Sequence, residues 1–237
     1  MWRAAGMLLV SCSLAVLHAQ SGEVEGCSTQ TEYAPVLVAN PDLRVTFKCN
    51  APPLDLIRAV GRQTRIPIGI VLGREPSVLT SKQRSYSFEN VAAEVALREA
   101  ADDADYTLRQ EGPVWVLVAN DITSRQSSLL ALRYPDFKQA DPSPMFHMGV
   151  GLTMWMQAAS HPDRGFGGSI LGSLNDEKLT LNIPPSSSTE EIANAIVSLG
   201  SKGIWILRAT PDDSDDGAND KVEIEPYQHY SNRPNIQ

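Results

Sequence analysis

Asp212, Ser214 and Asp216 precede Gly217 near the end of the chain, and Glu223 stands at the twelfth place counted from Asp212. That is the spacing of a calcium loop, where oxygen ligands surround a hard cation and a glycine permits the sharp turn. Three features count against it. Asn219 occupies a place that is usually apolar, Ser214 is a weak ligand, and Glu223-Ile224-Glu225-Pro226 reads as extended chain rather than helix. The crowd of Asp212, Asp213, Asp215, Asp216 and Asp220 reads first as a solvated charge run. The expectation is no metal and no cofactor, with a calcium- or small-ligand-binding protein as an alternative.

His147, His161 and Asp163 are the groups in the second half that an unrecognised hydrolytic site would draw on. His147 lies inside an apolar stretch, which favours a boundary histidine over a ligand. No HExxH, GxSxG or P-loop pattern occurs, and Gly165-Phe166-Gly167-Gly168 lacks the context of a dinucleotide site. The expectation is therefore not an enzyme, and an exported enzyme is the second alternative. Met145, Met148, Met154 and Met156, with Phe146 and Trp155, read as a core stripe, since methionine fills irregular gaps. Trp115 and Trp205 read as core.

The cysteines take their meaning from the compartment. Arg3, the apolar run from Met7 to Leu17 and the small Ala19 read as an export signal over residues 1–19. Leu9-Val10-Ser11-Cys12 also has the form of a lipoprotein box. No other apolar run reaches the length of a bilayer span. The expected location is the periplasm or outside the cell, where the remaining Cys27 and Cys49 can pair. A net charge of -8 excludes a general nucleic-acid binder, because that affinity comes from clustered Lys and Arg. An apolar fraction of 42% is enough for a core.

The elements that would position these groups follow from pattern. Residues 20–42 read as an extended lead-in. Leu43 to Phe47 alternates with period two, a half-buried strand. Pro52-Pro53 stops it and opens a helix to Thr64, with Leu56, Ile57 and Val60 on its inner face. Ile66 to Leu72 is a strand. Tyr86 and Phe88 begin another, and Glu89-Asn90 opens an alanine-rich helix through about Asp102. Tyr106 to Leu108 and Val114 to Val118 form a hairpin about Glu111-Gly112-Pro113, with Arg109 and Gln110 beside the turn.

Further on, Asp121 to Ser128 reads as a linker and Leu129 to Leu132 as a strand. Met145 to Ala159 reads as a helix and Lys178 to Ile183 as a strand. Ser188 and Glu191 form a capping box before a helix, and Ile204 to Leu207 is a strand. Residues 210–237 read as a disordered acidic tail. The succession of strand, Pro-Pro, helix and strand occurs twice, so residues 128–209 read as a second, degenerate copy of a β-α-β unit. The fold class is α+β: small mixed sheets with helices on one face, in two β-α-β-β-α-β-like units.

Residues 43–120 resemble the short N-terminal domain shared by secretins and TonB-dependent signalling receptors. The resemblance rests on Leu54, Ala59-Val60, Gln63-Thr64 and Ile66-Pro67-Ile68, then on Tyr86 to Val118. Arg65 departs from it, standing where that family usually has glycine. The resemblance implies a non-enzymatic interaction module that meets other envelope proteins, a secretin or a receptor among them, by edge-strand pairing or a helix face. It leaves the oligomeric state open.

Overall fold

A computed structural model describes residues 43–135, 137, 142–162, 177–200, 202–209 and 220–227. β1 (Arg44–Ala51) alternates exposed and buried along its whole length, as the period-two pattern dictates. α1 (Pro53–Thr64) begins where Pro52 and Pro53 fix extended and then helical backbone, and it buries Leu54, Leu56, Ile57, Ala59 and Val60. Arg65 ends it in the left-handed region at φ 58°, its N–H returning to the Gly61 carbonyl at 2.8 Å. β2 (Ile68–Val71) is buried throughout. α2 (Ser77–Thr80) is a single turn that buries Leu79.

β3 (Arg84–Ala92) pairs antiparallel with β1. It runs through residues 89–92, where a helix was expected. Phe47 faces Phe88 and Val45 faces Val91, so β3 carries an extra residue there. Asn90 absorbs it at φ 52°, and its N–H reaches the Thr46 hydroxyl at 3.0 Å. α3 (Ala93–Ala104) therefore starts late. Its buried Ala93, Ala96, Ala100, Ala101 and Ala104 let it lie close to its neighbours. β4 (Tyr106–Glu111) and β5 (Val114–Ala119) form the expected hairpin.

The linker and the strand expected at 121–132 are instead one helix, α4 (Ser124–Ala131). Thr123 and Gln126 form a reciprocal capping box, which nucleates a helix where Leu129-Leu130 alone reads equally as strand. The remaining elements are β6 (Arg133–Tyr134), β7 (Ser143–Pro144), α5 (Met145–Ser160), β8 (Lys178–Leu179), β9 (Ser187–Ser188), α6 (Thr189–Val197), β10 (Gly203–Arg208) and β11 (Lys221–Pro226). The strand expected over residues 178–183 is only β8, paired with β7. β6 pairs with β9.

One five-stranded mixed sheet, ordered β11-β10-β2-β5-β4, draws strands from both halves. β10, β2 and β5 run parallel, and the outer strands β11 and β4 run antiparallel to their neighbours. The α+β class holds, but the second half is not a unit with a sheet of its own. Nor do the helices share one face. Ile68, Ile70, Leu117, Ile204 and Ile206 pack with α1 and α3, while Trp205, Leu207, Val116 and Ile224 pack with α5 and α6. Central strands that are apolar on both faces require cover on both. α1 and α6 thus lie on opposite faces, unlike two copies of one unit. Part of the expected tail is also ordered: Val222 and Ile224 alternate inward along β11.

Candidate functional site at the open sheet edge

The two outer strands of the sheet are treated differently. In β11, the Tyr227 N–H bonds the Lys202 carbonyl at 2.9 Å, which sets the phase of the ladder to β10. Val222 then directs its main-chain groups away from β10. Thr153 of α5 meets both: its hydroxyl donates to the Val222 carbonyl at 3.1 Å and accepts from the Val222 N–H at 2.9 Å. Gln157 donates to the Asp220 carbonyl at 2.9 Å, and Pro226 has no N–H to offer. Gly149 admits α5 this close, since a methyl group there would strike Ile224. The buried Asp220 carboxylate also takes the Arg125 guanidinium at 2.6 Å. The strand is thus covered by α5 at Asp220 and Val222.

β4 is not. Gly112, at φ 60°, takes the first place of a two-residue hairpin loop, so Glu111 and Val114 form a hydrogen-bonded pair. The Asn120 N–H reaches the Asp105 carbonyl at 3.2 Å, in the same phase. Between them, the main-chain groups of Tyr106, Leu108 and Gln110 point away from β5. Among the described residues β5 is the only strand paired with β4.

The side chains of β4 divide between two faces. Tyr106 is buried in the α1–α3 layer and Leu108 packs against it. Burial pushes the Tyr106 hydroxyl up to about 12. Thr107 and Arg109 turn to the other face and wall an open groove of about 540 Å³, floored by Val118, Ile122 and Leu130. Glu190, near the start of α6, accepts from Arg109 Nη2 at 2.5 Å, and Glu111 pairs with Arg109 Nη1. Burial works against the Arg109 charge, but these two carboxylates outweigh it and hold the guanidinium firmly protonated.

The residues singled out in the sequence do not converge. Asp212, Ser214 and Asp216 lie outside the described residues. Glu223 stands in mid-strand opposite Ile206, its oxygens 2.7 Å from Arg208 Nε and 2.7 Å from Lys221 Nζ. Burial raises its proton affinity, yet those two cations prevail and hold it below the usual carboxylate range. Among the described residues no group of His, Cys, Asp and Glu could hold a metal ion. His147 is in the first turn of α5 and His161 just beyond its end, about 21 Å apart by helix rise, so they cannot serve one reacting atom. Asp163 lies outside the described residues. Cys49 is disulfide-bonded, its partner outside the described residues, where Cys27 also lies. No described helix is long and apolar enough to cross a membrane.

The sequence did carry a signal for the open edge. Tyr106-Thr107-Leu108-Arg109-Gln110-Glu111 mixes polar and charged residues into a strand, whereas Val114 to Ala119 is apolar throughout. That contrast separates an edge strand from a central one. No protein-family model matches the chain, and neither a curated protein nor a solved structure is significantly similar to it.

Proposed function

We propose that the protein is an exported, non-enzymatic interaction module, an accessory or adaptor of an outer-membrane secretion or receptor complex, and that a partner docks by adding a strand to β4. The observation that carries this reading is the asymmetry of the sheet. Edge strands are normally blunted or covered, because a free row of main-chain donors and acceptors invites pairing. β11 is covered in that way at Asp220 and Val222 by Gln157 and Thr153, and Pro226 has no N–H to offer. Among the described residues no strand other than β5 pairs with β4, and its Leu108 and Gln110 are not buried. Apart from the single turn α2, the order of elements over Arg44–Ala119, β-α-β followed by β-α-β-β, also supports the reading.

The test uses the tagged mature chain in an envelope extract, beside Gln110→Pro. Proline at 110 deletes an outward N–H and leaves the bonds between β4 and β5 in place. Recovery of a secretion or receptor component by the native chain, lost with Gln110→Pro, is the expected result. Equal recovery by both chains removes β4 from the interaction.

A further inference from the structure

We propose that residues 36–39 of this chain cover the open edge of β1 as a third, antiparallel strand of the β1–β3 sheet, tethered there by the disulfide of Cys49. This is a different edge from β4, and its cover does not depend on what docks at β4.

β1 and β3 form a two-stranded sheet, and among the described residues no other strand pairs with β1. The Ala93 N–H reaches the Leu43 carbonyl at 2.8 Å, which sets the phase of the pair. The extra residue of the bulge belongs to β3, so β1 keeps its alternation from end to end. The main-chain groups of Arg44, Thr46, Lys48 and Asn50 therefore point away from β3. Such a row beside a buried face is a template for pairing, and natural sheets cover it.

The position of the preceding chain decides what covers it. Cys49 is disulfide-bonded. The sequence holds three cysteines, so its partner is Cys12 or Cys27, and both precede β1. The chain before β1 is thus fixed twice, at Leu43 by the peptide bond and at Cys49 by the disulfide. Those two points are about 20 Å apart along the strand. Residues 28–42 join Cys27 to Leu43, a contour of about 50 Å at full extension. That is enough for one pass along β1 and a turn.

Asn40-Pro41-Asp42 supplies the turn. A loop over residues 40–43 sets Ala39 opposite Arg44, Val38 opposite Val45, Leu37 opposite Thr46 and Val36 opposite Phe47. Ala39 and Leu37 then meet the outward groups of Arg44 and Thr46. Val38 and Val36 fall on the face where Val45 and Phe47 are buried. Pro35, opposite Lys48, has no N–H to give and ends the run.

Amide hydrogen exchange of the full oxidised chain, read residue by residue by NMR, tests this beside Leu37→Pro. Proline at 37 removes a donor to Thr46 and changes no described residue. The Arg44 and Thr46 amides should be protected in the native chain. In Leu37→Pro they should exchange about tenfold faster, while Val116 and Leu117 at the centre of the main sheet keep their protection. The α-protons of Val38 and Val45, a pair without mutual hydrogen bonds, should give a strong nuclear Overhauser contact in the native chain. Absence of that contact overturns the proposal without any variant. Arg44 and Thr46 amides that exchange as in an unfolded peptide overturn it, and so does protection that is unchanged in Leu37→Pro. Protection that fades on dilution overturns it as well, and gives the edge to a second copy.

Discussion

The Tyr227 hydroxyl donates to the Ile66 carbonyl at 2.8 Å, in a buried setting and across 161 positions of sequence. Around that bond the last described residues are tied to the first helix. Arg65 Nη1 donates to the Tyr227 carbonyl at 2.6 Å, and Arg58 forks onto Glu225 at 2.9 and 2.5 Å. Gly61 leaves room for the ring, which a methyl group there would strike. Tyr227→Phe should cost about 1–3 kcal/mol, because it leaves a buried carbonyl unpaired. Gly61→Ala should cost about 1–3 kcal/mol by overpacking. Urea unfolding of the two variants and their double would read this, and a double equal to the sum would show that the contact does not couple them.

Arg65 holds a left-handed conformation at φ 58°, which an L side chain adopts at a cost. Its guanidinium offsets that cost by reaching Tyr227. Arg65→Ala loses the bond and keeps the backbone strain. Arg65→Gly loses the bond and relieves the strain. The glycine variant should be more stable than the alanine variant by about 1 kcal/mol in urea unfolding; equal midpoints would mean that the backbone is relaxed there.

Local signals were legible and pairing partners were not. Pro52-Pro53 and the capping box of Ser188 and Glu191 set the starts of α1 and α6 where sequence reading put them. Those signals act within a few residues. β10 read correctly as a strand, but nothing in Ile204 to Leu207 says that it joins β2 rather than a sheet of its own. Gly69 held the only hint: a methyl group there would strike the Trp205 indole on the adjacent strand. β11 was legible only in part: Glu223 to Pro226 reads as extended chain, but the aspartate run before it reads as a solvated tail. α3 was placed early because a bulge at Asn90 keeps Val91 and Ala92 in the strand, a register effect that helical periodicity does not reveal. The open edge was half legible, through the mixed composition of β4, while the cover of β11 at Val222 depends on Thr153, an ordinary helix residue by sequence.

Thr153→Val tests the covered edge. The change keeps the shape of the side chain and removes the hydroxyl that serves both main-chain groups of Val222. Loss of stability of about 1–3 kcal/mol is expected from those unpaired groups. A second consequence is specific to an edge: the variant should associate with rising concentration in sedimentation, since β11 becomes a template for pairing. A destabilised variant that stays monomeric would show that the body of α5 blocks the edge without Thr153.

Cys49 lies at the edge of the core on β1 and is disulfide-bonded. The sequence reading pairs it with Cys27. Peptide mapping without reductant should find that link. Cys27→Ser should then lower stability by about 3 kcal/mol, the chain-entropy value for a loop of about 20 residues. A map joining Cys49 elsewhere would remove the expected tether.

Alkaline unfolding should follow the buried tyrosines. Burial pushes Tyr106 up to about 12, and burial is also the first cause of the upward shifts of Tyr86, Tyr134 and Tyr227. In the unfolded chain each would ionise near pH ~10. Their folded values are raised, so their contribution is complete below that pH and is lost as pH climbs through the folded values. Tyrosinate absorbance should therefore show these four silent just above pH ~10. They should then appear together with the loss of circular dichroism, because ionising any one of them puts a charge into the core. Tyr227→Phe removes the most deeply buried of the four ionising groups and should make the alkaline loss of stability shallower, even though the variant starts from a less stable fold. Smooth titration of all four near pH ~10, with the fold intact, would mean that water reaches these hydroxyls and that the core around Ile66 and Tyr227 is not closed.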